Sequence, residues 1–424
     1  MKVETAKGVR DIPPEEKILK ARIISTIQSI FEIYGFNPLD TPIIERYDVL
    51  SSKYAGGAEI LKETFKLNDQ GERNLCLRYD LTVPLARFIA MNPMLKMPFK
   101  RYQIGQVFRD GPIKLGRYRE FTQCDVDVVG NKDVIAEAEL LSIAKQVFEN
   151  LNLPVTIKVN NRKVLNAIMT KANIPEDKKL DSILSLDKIE KIGAANVAKE
   201  LIQLGLEEDM IETLFKLTDR LNNTLETINF LTLELGDEAM KEIIELFKYL
   251  NIMNVSAEFY PNLSRGLSYY TGTVFEVFAN DSAVKSSITA GGRYDKMIGD
   301  FVGNNQEYPA VGISFGIDVI FEVLKLIESK PKKTVVKVFV ISIKTDNESI
   351  KLAAELRLND IPTDLNLKKG VSKGLEYAAH YEIPYVVFVG ENELKEGKYK
   401  LRNMITGKED LLDQETLINF LLEE

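Results

Sequence analysis

Histidine is scarce in this chain of 424 residues, in which His380 is the only one. A serine–histidine–acid triad is therefore improbable, and a metal site built on several histidines is excluded. His380 falls near the end of a helical pattern, GLEYAAHYEIP, which favours a structural or surface position. Any chemistry must then rely on arginine, carboxylates, tyrosine and, where a metal takes part, Mg²⁺ held by oxygen atoms.

Cysteine and long apolar segments are also scarce. Cys76 and Cys124 are the only thiols, which is too few for a disulfide framework. No apolar run approaches the roughly 20 residues that a membrane helix needs. The opening segment, MKVETAKGVRDIPPEEK, lacks the apolar core of a signal peptide. We therefore expect a cytoplasmic protein with no membrane partner.

The overall composition is that of a globular protein with an acidic surface. Hydrophobic residues make up 45% of the chain and charged residues 28%, and the length suffices for two or three domains. The net charge of −8 argues against a chain that coats itself with nucleic acid. It leaves room for a nucleic acid bound at local basic patches.

One basic segment stands out in this acidic chain, between Tyr102 and Gly130. Apolar residues alternate at both of its ends, around a loop that contains Gly-Pro, which predicts a long antiparallel hairpin. Between positions 100 and 123 there are six basic residues and only two carboxylates. The basic ones are Lys100, Arg101, Arg109, Lys114, Arg117 and Arg119. Arginines in this number suit phosphate or carboxylate oxygens.

The returning strand of that hairpin has a different character. Gln123, Asp125 and Asp127 are two residues apart, so they point to one face of a strand. Arginines for an anion beside acids and an amide for a cation suggest two substrates bound side by side. The same residues also fit a solvated, charged hairpin with no ligand.

The run FRDGP, GRYREF and QCDVD resembles motif 2 of class II aminoacyl-tRNA synthetases, in the form found in histidyl-tRNA synthetases. Three further segments match that family: LRYDLT (residues 77–82), NLSRGLSYYTGTVFEVF (262–278) and AGGRYD (290–295). FNPLDTPIIERYDVL resembles motif 1, which lines the dimer interface in the family, and PAVGISFGIDVIFEVL (309–324) resembles motif 3. The resemblance extends along the whole chain.

The resemblance implies a histidine–tRNA ligase, whose substrates are L-histidine, ATP with its Mg²⁺, and tRNA(His), and which is a homodimer. Arg109 and Arg265 would be catalytic, on opposite sides of the α-phosphate, and Arg109 and Arg117 would bind ATP. Asp127, Tyr269 and Tyr270 would contact the imidazole. The full set implied for histidine binding is Asp80, Leu81, Thr82, Arg109, Gln123, Asp127, Arg265, Tyr269 and Tyr270. From the residues alone, Asp80 and Thr82 also fit an ordinary helix N-cap.

The chain departs from the class at Val319, where motif 3 normally has an arginine for the far phosphates of ATP. This substitution keeps a rival open: a non-catalytic relative, such as the regulatory subunit of ATP phosphoribosyltransferase. A third alternative is a paralogue that passes its adenylate to an acceptor other than tRNA. Arg109, Arg265, the paired tyrosines and the C-terminal region favour the ligase.

The fold class that the resemblance implies is an α+β catalytic domain with an antiparallel sheet, a helical insertion and a C-terminal α/β anticodon-binding domain. We expect the catalytic domain at 1–328, with the insertion at 170–255, a linker at 329–334 and the C-terminal domain at 335–424. The insertion either contacts the tRNA acceptor arm or serves only packing. In the last domain strands and helices alternate, which predicts a largely parallel sheet. Its candidate tRNA contacts are Lys368, Lys369, Lys373, Lys400 and Arg402.

Overall fold

A computed structural model of the chain describes residues 3–53, 61–219, 221–264, 269–303, 306–327, 332–366 and 370–423. Among them, the ranges 1–11 and 22–327 form one compact unit, and the ranges 12–21 and 328–424 form a second. In the part of the chain so described, no helix is both long enough and apolar enough to cross a membrane.

The strands of the described residues form three sheets. In chain order they are β1 Asn37–Pro38, β2 Ile44–Arg46, β3 Lys66–Asn68, β4 Asn74–Leu77, β5 Phe99–Phe108, β6 Glu120–Val129, β7 Val155–Asn161, β8 Glu258–Phe259, β9 Thr273–Ala279, β10 Thr289–Arg293, β11 Ala310–Gly316, β12 Val338–Ile343, β13 Thr363–Asn366, β14 Tyr385–Gly390, β15 Tyr399–Asn403 and β16 Glu409–Leu412.

The helices of the described residues lie between and around these strands. They are α1 Pro14–Ile33, α2 Tyr47–Lys53, α3 Thr82–Met91, α4 Ile135–Asn150, α5 Arg162–Lys171, α6 Glu176–Leu186, α7 Ile189–Ile192, α8 Ala194–Gln203, α9 Glu208–Thr218, α10 Thr224–Leu235, α11 Asp237–Ile252, α12 Met297–Val302, α13 Ile317–Ile327, α14 Asp346–Leu358, α15 Gly370–His380, α16 Glu391–Lys395 and α17 Gln414–Glu423.

The first unit is built on an eight-stranded sheet in the order β1-β5-β6-β11-β10-β9-β7-β8. Its six central strands are antiparallel, and the short strands at its two edges, β1 and β8, pair in parallel. The antiparallel sheet expected for the catalytic domain is therefore confirmed. A smaller antiparallel sheet, β2-β4-β3, includes a turn at Gln70-Gly71 between β3 and β4.

The long hairpin predicted from the basic segment is β5 and β6. Its pairing runs from Phe99 opposite Val129 to Phe108 opposite Glu120, so the connecting loop spans residues 109–119. Alternation along β6 buries Cys124, Val126 and Val128 on one face. The polar residues between them are left to the other face, because successive side chains of a strand point in opposite directions.

The apolar face of the large sheet is covered by helices. The ring of Phe315 on β11 lies 5.6 Å from that of Phe31 and 5.9 Å from that of Phe148 on α4, and all three side chains are buried. A rigid floor of packed aromatic rings therefore supports the strands that carry the polar face.

Helices α6 to α11 follow one another between β7 and β8, with no strand among the described residues of this stretch. They correspond to the helical insertion expected from the sequence. Their inward faces carry buried aliphatic residues, such as Leu201, Leu214 and Leu231, as in any amphipathic helical layer.

The second unit has a five-stranded sheet in the order β13-β12-β14-β15-β16. The α/β character is confirmed, but the expectation of a largely parallel sheet was only half right. Strands β13, β12 and β14 are parallel, whereas β14, β15 and β16 are antiparallel. The reason is that the connections between β14 and β15 (391–398) and between β15 and β16 (404–408) are shorter than the roughly dozen residues that a parallel crossover needs. His380 ends α15 and is exposed, as expected.

Candidate active site

The polar face of β6 forms the floor of a cavity of about 140 Å³ in the first unit. Gln123, Asp125 and Asp127 all line it, as their spacing predicted. The other lining residues come from the start of α3, from β10 and β11 and from the segments around them. They are Tyr79, Asp80, Thr82, Arg109, Tyr269, Tyr270, Ala290, Gly291, Gly292, Tyr294, Gly312, Ile313 and Ser314.

Asp127 lies at one end of the cavity and is paired from beneath. Nη2 of Arg101 lies 2.8 Å from its Oδ2, and the hydroxyl of Tyr294 donates to its Oδ1 at 2.5 Å. Burial raises the pKa of Asp127, and the charge of Arg101 opposes that rise. Because Arg101 is fully buried, the ion pair is shielded from solvent, which strengthens the attraction between the two groups.

A glycine opposite this carboxylate makes the arrangement sterically possible. Gly312 pairs with Asp127 across β11 and β6, and a Cβ atom on Gly312 would overlap Oδ1 of Asp127. Any larger residue at position 312 would displace the acid from the cavity. The glycine therefore has a steric role in the site.

Asp80 closes another wall and also caps a helix. Its Oδ1 accepts hydrogen bonds from the backbone N–H groups of Thr82, at 3.1 Å, and Val83, at 2.9 Å. The N-cap is confirmed, and because the capping residue also lines the cavity, the cap leaves the predicted role in histidine binding open. Leu81 is fully buried and contributes through its backbone, where its carbonyl accepts a hydrogen bond from Nη2 of Arg101 at 3.1 Å.

Tyr269 and Tyr270 supply an aromatic wall. Their rings lie 4.6 Å apart, and the ring of Tyr269 meets that of Tyr294 edge-on at 6.3 Å. A flat, partly polar ligand ring is well matched by such a surface.

Arg109 lies where this cavity meets a second one of about 290 Å³ and lines both. Its guanidinium carbon is 4.2 Å from the ring centre of Tyr79 and 5.1 Å from that of Phe121, and its Nε donates to the Tyr79 carbonyl at 3.2 Å. The two rings fix the fork while leaving a full positive charge beside both cavities.

The second cavity contains Val319, the residue at which the chain departs from motif 3. Val319 lines it together with Arg117, Tyr118, Phe121 and Asp318. The loop of the hairpin lies close to Val319, since a Cβ atom on Gly116 would come within 3.3 Å of its Cα. The described cations lining this cavity are Arg109 and Arg117.

Arg265 lies outside the described residues, so the structure does not report on the two-sided grip expected of Arg109 and Arg265. Lys368 and Lys369 also lie outside them. In the second unit, Lys373 is exposed on α15, while Lys400 and Arg402 on β15 lie 3.8 Å and 3.4 Å from carboxylate oxygens of Glu409.

The sequence-based reasoning assigned no role to Arg101, Tyr294 or Ser314. Arg101 was detectable, because a hairpin of this register puts it opposite Asp127. Tyr294 belongs to the AGGRYD segment, whose match to the family does not by itself indicate a role for the tyrosine. Ser314 gave no signal, because a serine within an apolar strand looks ordinary.

The chain was compared with known protein families, curated proteins and solved structures. A family model described as histidyl-tRNA synthetase matches residues 8–320, and one described as anticodon binding domain matches residues 336–424. Histidine–tRNA ligase 1 of Bacillus cereus (strain ATCC 10987 / NRS 248) is 46% identical, over 96% of this chain and 95% of that one.

Two solved structures have a fold similar to that of this chain. A histidyl-tRNA synthetase from Nostoc sp. PCC 7120 aligns with a TM-score of 0.90 and 29% identity, covering 100% of this chain and 99% of that chain. An ATP phosphoribosyltransferase regulatory subunit/histidyl-tRNA synthetase from Bacillus halodurans C aligns with a TM-score of 0.77 and 23% identity, covering 92% and 98%. The second likeness shows a shared fold alone.

Proposed function

This chain belongs to the histidyl-tRNA synthetase family, and on that premise we propose that its first unit activates histidine with ATP in the two joined cavities. The activity is that of a histidine–tRNA ligase, an ATP-dependent enzyme that joins histidine to tRNA. The observation that carries the site assignment is the position of Arg109, which lines both the acid-lined cavity and the neighbouring one.

Histidine fits the first cavity by charge and shape. Asp127, Tyr269 and Tyr270 would contact the imidazole ring, and Asp80, Thr82 and Gln123 would hold the α-amino group. An analogue without imidazole N–H groups would offer no donor to Asp127, whose Oδ2 is buried and lacks a hydrogen bond of good geometry among the described residues, so its rejection can reach roughly 10⁴. A separate editing site is then unnecessary.

ATP fits the second cavity. Phe121 offers an aromatic face for the base. Arg117 would lie near the phosphates and supply the positive charge that motif 3 lacks at Val319. Glu63 and Asp318 also line this cavity, and one or two carboxylates suffice for a Mg²⁺ ion that arrives with ATP and keeps most of its water.

Activation needs little covalent chemistry from the protein. The carboxylate oxygen of histidine attacks the α-phosphorus in line and forms a new P–O bond, while the bond to the bridging oxygen breaks and pyrophosphate leaves. Arg109 would bind the α-phosphate oxygens on which charge grows, with Arg265 on the other side. In the second step a 3′-terminal hydroxyl of tRNA attacks the adenylate carbonyl, and AMP leaves.

The resemblance to the family supports a proposed domain layout and assembly. We assign residues 1–328 to catalysis, with the insertion at 170–255, residues 329–334 to a linker and 335–424 to anticodon binding. The exposed Lys373 would contact the tRNA backbone, and the enzyme would act as a cytoplasmic homodimer.

Histidine-dependent exchange of pyrophosphate into ATP, followed by tRNA charging, tests the proposal. Both activities are expected. Absence of exchange would favour the regulatory relative, and exchange without charging would favour a paralogue with another acceptor. Replacing histidine by other amino acids provides the control for specificity.

A further inference from the structure

Asp125 presents a carboxylate that the proposed roles do not use. Its side chain is only 4% exposed, yet it lines the first cavity. Oδ1 accepts a hydrogen bond from the hydroxyl of Ser314 at 2.5 Å. Its second oxygen, Oδ2, has no hydrogen-bond partner among the described residues. Because the residue is nearly buried, few water molecules can replace the missing donor, so a ligand that brings a donor would be favoured here.

Gln123 presents a second acceptor beside it. Its Nε2 donates to Oγ of Ser314 at 2.9 Å, and its Oε1 is buried without a partner in the described part of the chain. The chain of hydrogen bonds from Gln123 through Ser314 to Asp125 fixes both side chains. Two acceptors therefore face the cavity from one strand.

The other carboxylates of the cavity are already engaged. Asp127 is paired with Arg101 and Tyr294, and Asp80 caps α3. Asp125 has no cation within ion-pair distance among the described residues. A ligand with an ammonium group matches this need better than a neutral one, because it supplies both donors and charge.

We propose that Asp125 binds the α-ammonium group of the amino acid together with Gln123, and that it gives up a proton to solvent as that group binds. This rests on the proposed function, since histidine supplies the ammonium group. In the step the O–H bond of the Asp125 carboxyl breaks, the proton goes to a buffer base, and the ammonium group keeps its three hydrogens.

The surroundings of Asp125 agree with a carboxyl that is protonated before substrate binds. Burial raises its pKa to about 7; Arg101 on β5 opposes the rise, and Asp127 on the same strand adds to it. The other titratable or charged groups around it are Asp80 before α3, Cys124 on β6, Tyr294 after β10 and Arg78 after β4. An arriving ammonium group adds a positive charge and so favours the ionised form.

Calorimetry of histidine binding to the full-length protein, in two buffers of different ionisation enthalpy, counts the protons released. Wild type and Asp125→Asn are compared, so that titration of free histidine is common to both. Wild type should release about one proton more than the variant near pH 6, and the difference should vanish by about pH 8.5. If wild type and Asp125→Asn released the same number of protons near pH 6 as well as near pH 8.5, the proposal would be overturned.

Two histidine analogues locate the contact. Asp125→Asn should lower the affinity for histidinol, which keeps the ammonium group, by about tenfold or more. It should change the affinity for imidazolepropionate, which lacks that group, by less than about twofold. Equal weakening of both analogues would place Asp125 elsewhere.

Matched variants separate this inference from the proposed function. Asp181→Asn, an exposed aspartate on α6, should behave as wild type. Ser314→Ala removes the donor to Asp125 without a change of charge and should shift the midpoint of proton release to higher pH. If wild type shows no histidine-dependent exchange, the proposed function fails. If wild type is active and Asp125→Asn binds histidine equally well, only the role of Asp125 fails.

Discussion

Arg101 and Asp127 stand opposite each other in β5 and β6 and form an ion pair of 2.8 Å with both side chains buried. The pair holds the carboxylate at the end of the cavity before any ligand arrives. An acid fixed in this way does not reorganise on binding, which is the condition for strong discrimination by a buried charge.

Arg101→Met should destabilise the protein by about 3–5 kcal/mol, because it leaves a buried carboxylate without its cation. Urea unfolding of wild type and variant measures the loss of stability. Arg46→Met removes an exposed partner of Asp48 and should change stability little. A loss no larger for Arg101→Met than for this control would contradict the structural role of the pair.

Asp127→Asn should lower kcat/KM for histidine in the exchange reaction by about 10²-fold, because a charge-assisted hydrogen bond to the imidazole is lost. KM for ATP should stay within about twofold, because Asp127 does not line the second cavity. Asp127→Ala should show the same selectivity with an added loss of stability. Equal damage to histidine and ATP use would refute the assignment.

Arg109→Lys should lower kcat by about 10²-fold or more, since an ammonium group cannot reproduce the planar fork at the α-phosphate. Single-turnover formation of the adenylate is the measurement. Arg73→Lys, at an exposed arginine paired with Asp69, serves as the control. Unchanged adenylate formation in Arg109→Lys would remove the residue from the reaction.

Asp125→Asn should be more stable than wild type at high pH, and the difference should shrink toward acid. The folded pKa of Asp125 is raised to about 7, so folding opposes its ionisation. Below the unfolded pKa of about 4 both states are protonated and there is no penalty. Between about 4 and about 7 wild-type stability falls relative to the variant, by on the order of 1–4 kcal/mol in all. Urea midpoints at several pH values test this, and a constant difference would contradict it.

Lys373→Gln should weaken tRNA charging while leaving histidine-dependent exchange unchanged. Loss of one phosphate contact should make the dependence of log K for tRNA on log salt less steep by about 1. Lys145→Gln, on α4 of the first unit, is the control. An unchanged salt dependence in Lys373→Gln would exclude a backbone contact.

Part of the site can be predicted from the sequence alone. The period of two along β6 puts Gln123, Asp125 and Asp127 on one face, and the structure confirms it. Asp80 was predicted as a cap and as a pocket residue, and the geometry allows both. These features are local, so strand and helix periodicity suffices to find them.

Other features depend on residues far apart in the chain. Ser314 reaches Asp125 across 189 positions, and Tyr294 reaches Asp127 across 167. The mixed sheet of the second unit is likewise a matter of strand order, which alternating strands and helices do not fix. A short stretch of sequence around Ser314 or Tyr294 does not indicate either of these hydrogen bonds.

The sequence by itself determined the family, the hairpin and the residue types available for chemistry, because motifs and periodicity are properties of short stretches. Only the tertiary structure decided which charged groups pair with each other within the protein and which remain available to a ligand. Arg101 neutralises Asp127, while Asp125 is left with a partnerless oxygen among the described residues. The reason is physical: electrostatic pairing depends on distance and burial, and folding brings Ser314 and Tyr294 to the two carboxylates across 189 and 167 positions.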